Sequence, residues 1–240
     1  MIHQEVYEPR ISDYDQNGLL SLEAILEICE NAGNHHSMRA NDNVIENSRK
    51  GIAWILAEWN VRIKQRPNNG DILTISTWIR NEALSSRVHR DIVILDKDGR
   101  ESILACATFV LFDLQTQRPV CISPDIIKAY QPESVASLDF NAARLREPQS
   151  YETEQHVQLR RTDIDFNGHV HNARYISLAL EALPMNIYES DKFSSFRILY
   201  RSPLATMSPV TIRSHTTEDG LIIGFYTQDN VLTTLIEFVI

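Results

Sequence analysis

The chain has 240 residues, enough for one large or two small domains, and its 43% hydrophobic and 23% charged content is that of a globular protein able to bury a core. No apolar run approaches the ~18 residues of a membrane span, and the opening MIHQEVYEPR lacks the basic-then-apolar order of an export signal. A net charge of -9 removes any global attraction to nucleic acid or anionic lipid.

In chain order, a strand is expected over residues 4–11, followed by the turn-rich run Asp13-Tyr14-Asp15-Gln16-Asn17-Gly18. Ile25, Leu26, Ile28, Cys29 and Ala32 then recur at the spacing of one helix face, with Gly33 as the expected helix end. Strands are expected over residues 51–64, 71–80, 87–95 and 102–113, the last two joined by the hairpin turn Asp96-Lys97-Asp98-Gly99. Residues 114–150 carry Pro119, Pro124, Pro132 and Pro148 among polar residues and read as an inter-domain linker, with a helical turn over 125–130. A strand over 155–161 leads into Asp163-Ile164-Asp165-Phe166-Asn167-Gly168. Tyr175, Ile176, Leu178, Ala179 and Ala182 form a second helical stripe, stopped by Pro184. Strands over 195–201, 209–215, 221–227 and 231–239 complete the chain.

The second half therefore repeats the first. Asp13, Asp15, Asn17 and Gly18 recur as Asp163, Asp165, Asn167 and Gly168, and each motif is followed by a helix and a run of strands joined mostly by hairpins. That order predicts an α+β fold in which an antiparallel sheet wraps a long central helix, built twice in tandem. The expected division is an N-terminal domain over 1–113, a linker over 114–150 and a C-terminal domain over 151–240.

The repeated Asp-x-Asp-x-Asn-Gly motif also opens a calcium-binding EF-hand loop, but Ala24 and Arg174 stand where that loop needs a bidentate glutamate. The motif fits a strand-to-helix loop instead, because Asp and Asn side chains bond nearby backbone N–H groups and Gly accepts unusual dihedrals. The copies differ at the next residue. Leu19 follows the glycine in the first, His169 in the second, so the second loop presents a carboxylate, an amide and an imidazole together. Those groups can activate water and polarise a carbonyl. His171 is read as structural, and His35-His36 as a solvated helix end. Neither these histidines nor the carboxylates form a recognisable ligand set, so no metal is expected. GxSxG, GxGxxG and P-loop patterns are absent. Cys29, Cys106 and Cys121 include no CxxC pair and are expected to be reduced thiols of a cytoplasmic protein.

The run from Thr162 to Tyr175, TDIDFNGHVHNARY, resembles the second-domain signature of acyl–acyl carrier protein thioesterases, tandem hotdog enzymes of plants and bacteria. In the first half the resemblance continues through Asp15-x-Asn17-Gly18-x-Leu20-Ser21-Leu22, Gly51-x-Ala53-Trp54-Ile55-Leu56, Pro67 and Thr77-Trp78. It implies two hotdog domains, the first lining the pocket for an acyl chain and the second carrying the chemistry. The implied catalytic residues are Asp165, Asn167 and His169, the reaction is hydrolysis of a fatty acyl thioester on acyl carrier protein, and no cofactor is implied. In the mechanism expected from these parts, backbone N–H groups of Gly168, His169 and Val170 would hold the oxyanion. A basic patch of Arg160, Arg161, Arg174, Arg197 and Arg201 would dock the carrier protein. The minimal unit is then a monomer with an internal pseudo-dimer, or a homodimer. Two departures stand out. Where the family carries a catalytic glutamate this chain has Pro203, followed by Leu204, and His171 replaces the usual asparagine. The lost glutamate keeps a non-catalytic acyl-binding role open beside hydrolysis. Acyl-coenzyme A is the rival substrate, and a hotdog dehydratase is the most distant alternative.

Overall fold

The computed structural model describes residues 1–139, 145–190, 192–205 and 209–240, and divides into two compact units, Met1–Phe140 and Asn141–Ile240.

In the first unit, β1 (His3–Tyr7) runs into a 3-10 turn, Ile11–Asp13, and then into α1 (Leu22–Arg39). After α2 (Val44–Arg49) come β2 (Ile52–Ile63), β3 (Leu73–Ile79), β4 (Arg87–Leu95) and β5 (Glu101–Asp113). The strands lie in the order β1-β3-β4-β5-β2, all antiparallel. Ser21 starts α1 by accepting the Ala24 N–H at 3.1 Å. The predicted stripe Ile25, Leu26, Ile28, Cys29 and Ala32 is buried to 2% exposure or less, so hydrophobic burial rather than intrinsic propensity holds the helix on the sheet. The β4–β5 turn forms as expected. Asp96 Oδ1 accepts the N–H groups of Asp98 and Arg100 at 2.9 Å, and Gly99 takes φ 76°.

Gly33 does not end α1, which continues to Arg39. A Cβ at Gly33 would stand 3.2 Å from Cδ of Arg90, so the glycine is there to let a buried arginine pass. The Arg90 guanidinium donates to Nδ1 of His36 at 3.0 Å and to Oγ of Ser37 at 3.2 Å, and lies over the Tyr130 ring. The Tyr130 hydroxyl in turn donates to Asp42 at 2.6 Å. His36 is therefore buried in a polar network rather than solvated, and only His35 is exposed.

The expected linker is also shorter than its sequence suggested. Residues 114–139 form β6 (Arg118–Pro119), which pairs antiparallel with the end of β5, and α3 (Pro124–Ala129), and they pack on the first unit. Tyr130 and Leu138 are buried. Ser137 completes the shell of the fully buried Asp91, donating through N at 2.8 Å and Oγ at 2.7 Å opposite the Arg80 guanidinium. A buried carboxylate needs such partners, and they lie outside the strands that the sequence pattern marks.

In the second unit, β7 (Thr153–Val157), a 3-10 turn Arg161–Asp163, α4 (Arg174–Glu181) and α5 (Met185–Ser190) precede β8 (Ser195–Tyr200), β9 (Val210–Thr216), β10 (Gly220–Tyr226) and β11 (Leu232–Val239). The strand order is β7-β9-β10-β11-β8, the same first-third-fourth-fifth-second order as in the first unit. The helix is packed on the sheet through Tyr175, whose ring meets Tyr200 of β8 and Phe225 of β10 at 5.5 and 5.4 Å. It is not long, however. α4 has 8 residues against 18 in α1: it starts two repeat positions later, after an Ala173 that offers no side-chain oxygen, and it ends at Glu181, ahead of Pro184.

Candidate functional site

The loop between the 3-10 turn and α4 is organised by Asp165. Its Oδ1 accepts the N–H groups of Asn167 at 2.8 Å and of His169 at 3.3 Å, and its Oδ2 accepts from the Asn167 side-chain amide at 3.3 Å. Its backbone N–H donates to the carbonyl of His169 at 2.8 Å, and its carbonyl accepts from Gly168 at 3.0 Å. Gly168 closes the turn at φ 79°, a left-handed conformation that glycine adopts at little cost. The loop is tied down at both flanks. Val170 N–H donates to the Leu204 carbonyl at 2.8 Å, and His171 N–H to the Asp163 carbonyl at 2.9 Å.

The first unit has the same loop, bond for bond. Asp15 Oδ1 accepts from Asn17 and Leu19 N–H at 2.8 and 3.2 Å, Gly18 takes φ 73°, and Leu20 N–H donates to the Pro67 carbonyl at 2.8 Å. The Asp-x-Asn-Gly pattern therefore builds a shape, and that shape alone is no mark of catalysis. What separates the copies is chemistry at two points. Leu19 becomes His169, and the second carboxylate oxygen of Asp15 pairs with the Arg66 guanidinium whereas that of Asp165 meets Asn167.

Of the sequence-predicted residues, Asp165 and Asn167 are in direct side-chain contact, while His169 is joined to Asp165 through its backbone. Asp165 and His169 are half-buried and Asn167 is exposed. The expected backbone oxyanion hole is not formed by this loop. Gly168 N–H goes to Asp165, His169 N–H to Asp165 and Val170 N–H to Leu204, and α4 begins only at Arg174. Polarisation of a carbonyl from this loop then falls to side chains, and Asn167 has a second amide hydrogen beyond the one directed at Asp165.

Two tyrosines that the sequence pattern assigned to the core or to a strand hold the site's frame. Tyr175 hydroxyl accepts the Leu204 N–H at 3.1 Å, and Tyr200 hydroxyl donates to the Asn172 carbonyl at 2.9 Å. Burial pushes the Tyr175 hydroxyl up, and the nearby Asp165 charge adds to that, against the bond from Leu204. Tyr175 stays a neutral hydroxyl that positions residue 204 behind the loop. Pro203 itself is exposed, and no carboxylate occupies its position.

Of the five predicted docking arginines, Arg160, Arg161 and Arg201 are exposed while Arg174 and Arg197 are half-buried. Arg197 lies opposite Glu237 across β8 and β11, and Arg201 comes within 4.0 Å of Glu147, so these two charges are partly matched inside the unit. Among the described residues, the group able to hold a metal ion is His3, Glu5 and His35 in the first unit, far in sequence from this loop. No helix among the described residues is long and apolar enough to cross a membrane.

Residues 1–130 match the family model of the acyl-ACP thioesterase N-terminal domain, and residues 146–234 match that of the C-terminal domain. A dodecanoyl-[acyl-carrier-protein] hydrolase from Cinnamomum camphora is 27% identical over 183 residues, covering 73% of this chain and 47% of the relative. An oleoyl-acyl carrier protein thioesterase from Arabidopsis thaliana is 23% identical over 216 residues, covering 83% of this chain and 59% of the relative. The chain thus spans about half the length of the curated relatives it matches. The crystal structure of an acyl-ACP thioesterase from Bacteroides thetaiotaomicron superposes with a TM-score of 0.87 at 16% identity, covering 99% of this chain and 97% of that one. The 12:0-ACP thioesterase of Umbellularia californica also gives 0.87, at 17% identity over 99% and 96% of the two chains. These likenesses carry the tandem hotdog fold, and with both family models matched in order, the chain belongs to the acyl-ACP thioesterase family.

Proposed function

We propose that this protein hydrolyses the thioester between a fatty acyl chain and acyl carrier protein, releasing the free fatty acid. The observation that carries the reading is the pair of loops with one geometry, of which the second alone gains an imidazole, at His169. Asp165 holds the turn, Asn167 directs its second amide hydrogen at the thioester carbonyl, and His169 takes the proton of the attacking water. Water oxygen bonds to the carbonyl carbon, the tetrahedral intermediate collapses with cleavage of the C–S bond, and the departing thiolate receives the proton from His169. Arg160, Arg161 and Arg201 supply the local positive surface for an acidic carrier. The free thiols, two of them buried, support a cytoplasmic setting.

The test is thiol release from medium- and long-chain acyl carrier protein, run against the matching acyl-coenzyme A esters with His169→Ala alongside. Turnover should favour the carrier protein and fall by about 10²–10⁴ in the variant. Retained acyl binding without turnover in the parent protein would instead support the acyl-binding reading that Pro203 keeps open.

A further inference from the structure

We propose that His3, Glu5 and His35 form a zinc site that clamps the edge strand β1 to the C-terminal end of α1. The three donor atoms, Nε2 of His3, Nδ1 of His35 and a carboxylate oxygen of Glu5, lie within 4.8 Å of one another. Glu5 Oε2 is 3.1 Å from His3 Nε2 and 2.8 Å from His35 Nδ1. Tetrahedral zinc with bonds of about 2.0–2.2 Å needs its ligand atoms only a little more than 3 Å apart, so small side-chain adjustments suffice. His3 and Glu5 are two apart on one strand and so share a face, turned toward the helix that carries His35. Two imidazoles and one carboxylate suit zinc and leave a fourth position for water, whereas magnesium and calcium prefer all-oxygen shells.

The surroundings favour a cation with an entry path. His35 sits in the last turns of an 18-residue helix, whose C-terminal pole is negative. Its side chain is 57% exposed while that of His3 is 1% exposed, so one ligand is anchored in the interior and another is open to solvent. His3 is further fixed by stacking on the buried His36 ring at 5.6 Å.

One residue opposes the metal. The Arg39 guanidinium donates to Nδ1 of His3 at 2.7 Å. That bond places the ring proton on Nε2, the atom that zinc would use. Arg39 is exposed, so it can turn away as the ion enters.

The test is zinc titration of the chelator-treated full chain by calorimetry, with the visible spectrum of the cobalt-substituted protein as a readout of coordination. One zinc per chain should bind, with tetrahedral cobalt bands and no response to magnesium. His35→Ala and Glu5→Gln should each weaken zinc by roughly 100-fold, on the scale of lost metal-site contacts. Arg39→Ala should tighten it, because it removes both the competing charge and the bond that fixes the opposing tautomer. Since His35 is exposed, its alanine variant should retain the parent's circular dichroism, so loss of zinc would not reflect unfolding. Absence of stoichiometric zinc in the parent chain, or an affinity that His35→Ala leaves unchanged, would overturn the site.

Discussion

Position 203 acquires its meaning from the other half of the chain. Leu20 N–H bonds the Pro67 carbonyl as Val170 N–H bonds the Leu204 carbonyl, both at 2.8 Å, so Arg66 and Pro203 precede equivalent points beside equivalent loops. Arg66 reaches the Asp15 carboxylate from there, which shows that a long side chain at this position extends to the loop aspartate. A glutamate at 203, shorter than arginine, would extend a carboxylate toward the loop of Asp165, Asn167 and His169, and proline cannot. Pro203→Glu should therefore raise kcat on acyl carrier protein substrates by at least tenfold, within the ~10²–10⁴ that a positioned general base supplies, with KM little changed. A steady-state comparison with the parent protein checks this, and an unchanged kcat would mean that water activation does not limit turnover. The correspondence of 66 with 203 is invisible in the sequence, because the chain returns to the loop after different intervals in the two halves.

At the scale of elements, helix faces and turns were legible because they depend on neighbours three or four residues away. Helix ends were legible where a capping side chain marks them or a proline stops them, as Pro184 does after α4. Ser21 caps α1, while His171 stands at the matching place in the second copy and α4 starts three residues later, after an Ala173 with no side-chain bond. His171→Ser should restore a first turn of the α1 kind and stabilise the protein by about 1 kcal/mol, read as a higher urea midpoint at unchanged slope. Unchanged stability would show that the late start comes from the loop's ties to Leu204 and Asp163 instead. Gly33 illustrates the other limit. As a helix stop it satisfies local rules, yet its actual role is set by Arg90, 57 positions onward, and by Tyr130 beyond that. The same holds for Asp91, whose partners Arg80 and Ser137 flank it at distances no periodicity reveals. Buried polar networks are assembled from residues remote in sequence, and composition gives no sign of them.

For the whole molecule, the repeat of strand order explains why the fold was readable. Two halves with one topology supply the same pattern of turns and apolar runs twice, and each reading supports the other. Net charge is a whole-molecule quantity too, and it sets a problem for the proposed reaction, because a protein of charge -9 must meet an acidic carrier. Screening decides between the overall repulsion and a local attraction. At physiological salt, fields decay over ~8 Å, so a carrier approaching the proposed catalytic loop would sense the exposed Arg160, Arg161 and Arg201 more than carboxylates farther away. If the local patch governs docking, added salt should raise KM for the acyl carrier protein substrate. If the net charge governs, salt should lower KM by screening the repulsion. The double reversal Arg160→Glu with Arg161→Glu should raise KM several-fold at low salt, leave kcat close to the parent value, and invert the salt dependence. Arg201 is the weaker contributor, since Glu147 lies within 4.0 Å of it, and Arg201→Glu alone should shift KM less than the pair does. A KM that ignores both reversals would move the docking surface away from this end of the second unit.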